Sequence, residues 1–194
     1  MIKFTGINHI AFATNDMDKT IRFWRDLLGL PLVAGLGDTK GKQYFFRLSD
    51  TSMISFFEWP EVQPVADRDP GRPVTGPLAM DHICLELEDE DQLWELKAKL
   101  QAADIWVSEV IDNGFIHSLF STDPNNLQLE FCYNIEGAYI KAGTMLDSRP
   151  SAITKEGIEP QPGKWPKSEE PESPEKRKIY PGELKIMTGK RREP

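Results

Sequence analysis

The chain has 194 residues, of which 39% are hydrophobic, and a formal net charge of -8 at pH 7. Such a chain can form one ordinary core, or two small modules that share one. The acidic balance argues against nucleic acid as a partner, because phosphate binding needs clustered Lys and Arg. No stretch approaches about 18 consecutive apolar residues and the first residues lack the pattern of an export signal, so we expect a cytoplasmic protein that does not bind membranes.

The first 60 residues predict a module of the order βαβββ. The sequence "INHIAFATND" at residues 7–16 is typical of an apolar strand, and it carries His9. Residues 16–30 place apolar side chains at helical spacing behind two aspartates, which predicts an amphipathic helix with acidic residues at its N-terminus. Three strand-like stretches follow the helix, at residues 30–35, 42–49 and 52–59.

A second copy of this order begins 73 positions later, after a linker at residues 61–78 that is rich in Pro and Gly. The sequence "MDHICLELED" at residues 80–89 predicts a strand that carries His82, and the next stretch predicts a helix. Strand-like stretches follow at residues 105–111, 115–121 and 127–133, and "TDPNN" predicts a turn between the last two. We therefore expect a second module over residues 79–140, and an α+β fold that pairs two curved sheets around a barrel-like cavity.

Residues 141–194 form a charged tail that contains eight of the chain's 15 prolines. Because it buries too little apolar surface to offset chain entropy, we expect an extended conformation. Six large apolar side chains of the tail nevertheless favour wrapping around a neighbouring surface, namely Trp165, Ile179, Tyr180, Leu184, Ile186 and Met187. The repeat and this tail together favour a homodimer.

Each module has a histidine on its first strand and a glutamate near the end of its last strand. His9 and Glu58 are 49 positions apart, and His82 and Glu130 are 48 apart. If the first and last strands of a module are neighbours, its two side chains can project side by side, and facing sheets bring all four together. Imidazole and carboxylate suit a divalent ion, so this spacing predicts a metal site. The sequence does not distinguish among Ni, Co, Zn, Mn and Fe as the bound ion.

The stretches "INHIAFATNDMDKTIRFWRDLLGL" and "FSTDPNNLQLEF" resemble the vicinal oxygen chelate superfamily, which includes glyoxalase I, methylmalonyl-CoA epimerase, extradiol dioxygenases, fosfomycin-resistance enzymes and bleomycin-binding proteins. The resemblance covers about residues 5–133 and is greatest to glyoxalase I. It implies that the two histidines and two glutamates hold the metal. It also implies lyase or isomerase chemistry on a small oxygenated molecule, with metal-stabilised enediolate formation and Glu58 or Glu130 as the base.

Two other functions stay open. The first is an Fe(II) dioxygenase with a site of two histidines and one carboxylate, in which His9 or His82 acts with Glu130. Glu58 as a fourth ligand weighs against it, as does Phe120, which stands where the extradiol family has a tyrosine. The second is a metal-free binding protein with an aromatic groove, for which the candidates are Phe46, Phe56, Trp59, Trp106 and Phe120. The set of two imidazoles and two carboxylates argues against it.

Four side chains are predicted to contact the substrate, namely Arg47, Phe56, Ser118 and Phe120. Arg47 can meet an anionic group, and strand alternation puts Ser118 and Phe120 on the face of Glu130. The two cysteines follow His82 and Glu130 by two positions each. Because they form no CxxC pair, we expect reduced thiols that pack as small core residues.

Overall fold

The computed structural model describes residues 3–38, 41–76, 80–138, 146–161, 163–166 and 170–182. The chain forms two compact units, Met1–Tyr139 and Ile140–Pro194. The first unit contains both predicted modules and all the predicted site residues. The boundary between the units lies one residue before the predicted start of the tail.

The first module has the predicted order βαβββ. Its strands are β1 (His9–Thr14), β2 (Leu32–Asp38), β3 (Gly41–Arg47) and β4 (Met53–Glu58), arranged in the sheet as β1-β4-β3-β2 with β1 and β4 parallel. The helix begins as α1 (Met17–Ile21) and continues as a π-helical segment, Arg22–Leu27. The side chain of Asp16 caps it by accepting the Lys19 N–H. The adjacent Phe23 and Trp24 of the π segment are both buried.

The second module repeats the order with β5 (Ile83–Glu86), α2 (Glu90–Ala102), β6 (Ile111–Asp112), β7 (Ile116–Thr122) and β8 (Gln128–Asn134), arranged as β5-β8-β7-β6. The strand predicted at residues 105–111 is wrong in extent, because pairing is limited to β6 and an isolated bridge between Val107 and Ser121. Between them the hydroxyl of Ser108 accepts the Phe120 N–H at 2.8 Å, in place of a backbone carbonyl.

One hydrophobic core joins the two modules. It contains Trp24, Phe46 and Phe56 from the first module and Leu93, Leu119 and Leu129 from the second. The Trp24 indole N–H donates to the buried Asp123 carboxylate at 3.2 Å, which ties the first helix to the turn between β7 and β8. Burial raises the pKa of Asp123. The predicted α+β fold of two paired βαβββ modules is confirmed, and among the described strands no ladder connects one sheet to the other, so the sheets are not closed into a barrel.

The second unit contains two short 3₁₀ turns, Thr154–Glu156 and Pro174–Lys176. Of the six apolar side chains noted in the tail, Trp165, Ile179 and Tyr180 are exposed. The other three, Leu184, Ile186 and Met187, lie outside the described residues, and wrapping of the tail stays a prediction. No helix in the described ranges is long and apolar enough to cross a membrane.

Candidate functional site

The second module brings together one predicted pair, His82 and Glu130. Cys84 on β5 is paired with Glu130 on β8, and His82 lies two residues before Cys84 on the same face. His82 Nε2 is 3.1 Å from Glu130 Oε2. Glu130 is only 6% exposed, whereas the imidazole is half-buried. The carboxylate is therefore almost fully shielded from solvent, and the imidazole beside it is the more accessible group of the pair.

A second carboxylate orients the His82 ring. Asp81 Oδ1 lies 2.7 Å from His82 Nδ1 and also accepts the Gly71 N–H at 2.9 Å. Arg68 donates from Nη1 to Asp81 Oδ2 at 3.1 Å. The hydrogen bond to His82, the Gly71 N–H and the Arg68 charge lower the pKa of Asp81. A histidine with one ring nitrogen held by a carboxylate and the other directed elsewhere is the usual arrangement of a metal-binding or catalytic imidazole.

The linker contributes the two donors that hold Asp81, the Arg68 guanidinium and the Gly71 N–H. The sequence predicted neither contact. Arg68 also donates to the backbone carbonyls of Met80 and Asp81. Its guanidinium is therefore fixed to the segment that leads into β5. Nothing in the composition of residues 61–78 marks Arg68, because a lone arginine in a Pro-rich stretch more often faces solvent. Only the fold brings it within reach of Asp81.

The pairing predicted within the first module is wrong. In the parallel ladder of β1 and β4, His9 is opposite Met53 and Glu58 is opposite Thr14. The two predicted ligands thus lie at opposite ends of the paired strands. They also lie on opposite faces, since an odd number of positions separates Thr14 from His9 and strand side chains alternate.

Glu58 has partners on the helix-covered face of the first sheet. Its Oε1 accepts the Met17 N–H at 3.4 Å, at the start of α1, and its Oε2 lies 3.1 Å from Lys42 Nζ. A carboxylate is favourable near the first turn of a helix because of the helix dipole. These contacts explain a glutamate in an apolar strand without a metal ion.

Ser55 occupies the first-module position that corresponds to Glu130. In the second module, Glu130 is paired with Cys84, two residues after His82. In the first module, the residue paired with Ala11, two residues after His9, is Ser55. Ser55 is fully buried, and its hydroxyl accepts a hydrogen bond from Gln43 at 3.2 Å.

His9 retains the local geometry of His82. Its Nδ1 lies 2.8 Å from Oδ1 of Asn8, the residue that precedes it as Asp81 precedes His82. This contact leaves Nε2 of the exposed His9 ring without a hydrogen bond to the described residues. Across the described ranges, no group of three or more His, Cys, Asp and Glu side chains lies close enough to hold a metal ion. The predicted four-ligand set therefore fits only in part: His82 and Glu130 are together, and Glu58 is turned away.

The predicted substrate contacts divide into two groups. Phe120 is paired with Glu130, and its ring meets the His82 ring edge-on at 5.5 Å. Ser118 shares that face, is fully buried, and accepts a hydrogen bond from Asn113 at 3.0 Å. Both lie where the sequence predicts.

The other two lie elsewhere. Phe56 is fully buried in the core, 5.6 Å from the Trp24 ring, so its prediction as a substrate contact is wrong. Arg47 is exposed and lines an open cavity of 610 Å³ near the start of β1, a cavity that includes neither His82 nor Glu130. The predicted aromatic groove is not formed either, because Phe46 is in the core and Trp59 and Trp106 are more than half exposed.

A smaller cavity of 250 Å³ lies between the modules beside His82. Its walls are mainly apolar, with Phe12 from β1 and Ile83 from β5. Gln128 also lines it, is 4% exposed, and has an Oε1 atom with no hydrogen-bond partner among the described residues. An unsatisfied buried acceptor beside a cavity is suited to a ligand that carries a donor.

The two cysteines lie next to the candidate site. Their Sγ atoms are 3.3 Å apart. Desolvation raises the pKa of both thiols, and the neighbouring Glu130 carboxylate adds to the rise. Core packing fits Cys132, which is buried, but not Cys84, which is exposed.

The sequence profile of the glyoxalase/bleomycin resistance protein/dioxygenase superfamily matches residues 6–131. The chain belongs to this superfamily. Members of the superfamily include many enzymes as well as resistance proteins that are not enzymes. No curated protein sequence matches the chain.

Solved structures share the superfamily fold with this chain at low identity. A glyoxylase/bleomycin resistance protein/dioxygenase domain from Frankia sp. EAN1pec is 18% identical, with a TM-score of 0.58 over 69% of this chain and 100% of that one. A glyoxalase/dioxygenase from Nostoc punctiforme is 18% identical, with a TM-score of 0.52 over 68% and 92%. The fosfomycin resistance protein FosX from Listeria monocytogenes is 17% identical, with a TM-score of 0.51 over 69% and 97%. Similarity at this level supports the fold alone.

Proposed function

We propose that the chain is an enzyme that moves a proton beside a carbonyl group, as a lyase or isomerase of a small oxygenated compound. The observation that carries the proposal is the His82–Glu130 pair, with Nε2 and Oε2 3.1 Å apart. Proton transfer needs one group that accepts the proton and one that returns it, both within hydrogen-bond reach. The buried carboxylate of Glu130 can do both in turn, and the half-buried imidazole lies within hydrogen-bond distance of it.

In this proposal Glu130 accepts the proton from the substrate carbon and returns it to the neighbouring carbon. Asp81 holds Nδ1 of His82, so the tautomer whose Nε2 lone pair is available to a metal ion is kept. Phe120 covers one edge of the imidazole and limits access of water on that side.

The proposed cofactor is one divalent metal ion, Ni, Co, Zn, Mn or Fe, held by His82 and Glu130. Imidazole and carboxylate are donors of the required kind, and Asp81 is the outer carboxylate that often orients a metal-binding histidine. When bound, such an ion stabilises the negative charge that develops on substrate oxygens. Because one chain gathers only two of the predicted ligands, a homodimer is part of the proposal, and His9 of a second copy is the candidate for a further donor.

An Fe(II) dioxygenase is the second candidate, and Ser55 is the observation that favours it. With a serine at the position corresponding to Glu130, the predicted donors reduce to two histidines and one carboxylate. That set holds Fe(II) in many oxygenases and leaves positions open for O2 and substrate. Phe120 weighs against extradiol chemistry, since the side chain opposite Glu130 has no hydroxyl group.

The two candidates are separated by loading the protein with Ni(II), Co(II) or Fe(II) and supplying 2-hydroxy or 2-keto acyl compounds in D2O. Deuterium that enters the substrate without O2, and is lost in Glu130→Gln, supports the lyase or isomerase. Activity with Fe(II) alone, matched by O2 consumption, overturns it in favour of the dioxygenase. Glu58→Gln is the matched control: it removes the same charge on the other face and should keep activity. Ligand binding without turnover under every loading indicates a binding protein.

A further inference from the structure

The two cysteines form a dithiol on the open face of the second sheet. Cys84 lies on β5 beside Glu130, and Cys132 lies two residues further along β8 on the same face. Their Sγ atoms are 3.3 Å apart. Cys84 is exposed and Cys132 is 6% exposed, so the pair has one accessible and one shielded sulfur.

The backbone disfavours a disulfide between these thiols. Because Cys84 is paired with Glu130, its Cα is offset from that of Cys132 by one strand and two residues. A rise of about 3.3 Å per residue and a strand separation of about 4.8 Å put the two Cα atoms about 8 Å apart. Disulfides seldom join Cα atoms more than about 7 Å apart, so this bond requires one strand to move.

A bridging ion fits without such movement. In tetrahedral coordination, Zn–S bonds of about 2.3 Å hold two sulfur atoms about 3.8 Å apart. That separation exceeds the observed 3.3 Å by about 0.5 Å, which small rotations of the two side chains supply. Thiolate ligands select soft ions such as Cu(I) and Zn(II) over Mg(II), Ca(II) and Mn(II).

The surroundings of Cys84 favour a cation. An open cavity of 520 Å³ leads to Cys84, and its lining includes the carboxylates of Glu86 and Glu88. Negative charge along an approach raises the local concentration of cations. This observation is independent of the sulfur–sulfur distance.

We infer that Cys84 and Cys132 chelate one soft, thiophilic cation of the Cu(I), Zn(II) or Cd(II) class. Two metal–sulfur bonds form, and the two thiol protons are released to solvent. No oxidant or reductant takes part. The site is distinct from the proposed His82–Glu130 metal site, although Cys84 is paired with Glu130 in the sheet.

The test is titration of the full-length, reduced protein with Cd(II), followed by thiolate-to-metal absorbance and by equilibrium dialysis. We expect one Cd(II) bound through both sulfurs, and no displacement by excess Mg(II). Loss of either thiol in Cys84→Ser or Cys132→Ser should weaken binding about 100-fold or more, because the second sulfur acts at high effective concentration. His82→Ala should keep the absorbance band, which separates this site from the proposed one.

Cys84→Ser changes an exposed position, so its result stands even if Cys132→Ser fails to fold. Cd(II) affinity that is unchanged in Cys84→Ser overturns the inference. So does loss of the band in His82→Ala. Loss of both free thiols in air, with a disulfide found by mass spectrometry of the metal-free protein, also overturns it, since the strands would then approach more closely than the register allows.

Discussion

Replacement of Asp81 by Asn tests whether the linker holds His82 in a working orientation. Asn has the same shape but no charge, and its amide nitrogen cannot accept a hydrogen bond. Asp81 now accepts from Arg68 at 3.1 Å, from the Gly71 N–H at 2.9 Å and from His82 at 2.7 Å. In Asp81→Asn at least one of these three donors loses its acceptor, and the Arg68 guanidinium, 11% exposed, loses its counter-charge.

We expect Asp81→Asn to lower the free energy of unfolding modestly and to lower metal affinity or activity more strongly. A hydrogen bond to a charged group contributes about 1.5–3 kcal/mol, and we expect the lower end because the Asp81 side chain is 36% exposed. Loss of a carboxylate that orients a metal-binding histidine lowers metal affinity or activity about 10–100-fold. Urea unfolding measures the first effect, and competition with a chelator for Ni(II) or Zn(II) measures the second. Asp69→Asn, an exposed change in the same linker, is the control.

One result would refute this reasoning. If Asp81→Asn lost stability but bound metal with the affinity of the parent, the Arg68–Asp81 pair would have a structural role only, and His82 would be oriented by other contacts. If Asp81→Asn changed neither the urea midpoint nor the metal affinity, Asp81 would have neither a stabilising role nor a role in orienting His82. Rescue of affinity in Asp81→Glu, which restores the charge, would separate a charge effect from a shape effect.

Three further outcomes are expected. Asp123→Ala should lower the free energy of unfolding by about 3–4 kcal/mol, because Trp24 and three other donors lose a buried acceptor; urea unfolding checks this against Asp50→Ala, an exposed change. The pKa of Asp123 is raised above 3.8, so protonation of this carboxyl stabilises the folded state fully below pH 3.8, and this stabilisation is lost as the pH rises through the raised pKa. Urea unfolding midpoints should show the loss in the parent and not in Asp123→Asn. Phe56→Ala should lower the free energy of unfolding by about 3–5 kcal/mol because it leaves a cavity in the core, whereas Phe120→Ala should lower it less and change KM or kcat. Equal losses of unfolding free energy with unchanged kinetics would contradict the placement of Phe120 at the site.

Most of the fold could be predicted from the sequence because its signals are local. Helical spacing behind acidic residues marked both helices, and alternation between turn-forming residues marked most strands. The prediction was wrong for residues 105–111, where apolar composition suggested a full strand. There the Ser108 hydroxyl replaces a ladder acceptor, a contact that depends on the opposite strand and has no local signal.

The site was harder to predict because it depends on register. Glu58 and Glu130 both lie in the last strand of their module, and their offset of 72 is close to the 73 between the histidines. The structural counterpart of Glu130 is however Ser55, three positions before Glu58, and an odd difference moves a strand side chain to the other face. The loops that directly precede β4 and β8 are both five residues long, so the difference arises earlier in the modules and cannot be converted into register without the pairing itself.

The two modules have kept the same backbone plan but not the same chemistry. In the first, an amide holds the histidine and a buried serine stands where a carboxylate would be. In the second, carboxylates flank the histidine on both sides. Divalent ions and transferable protons are attracted by charge, and charge is costly to bury, so one such centre is more readily stabilised than two. In the proposed function the second module therefore supplies the reactive groups, and the Trp24–Asp123 hydrogen bond ties the first module to the turn between β7 and β8.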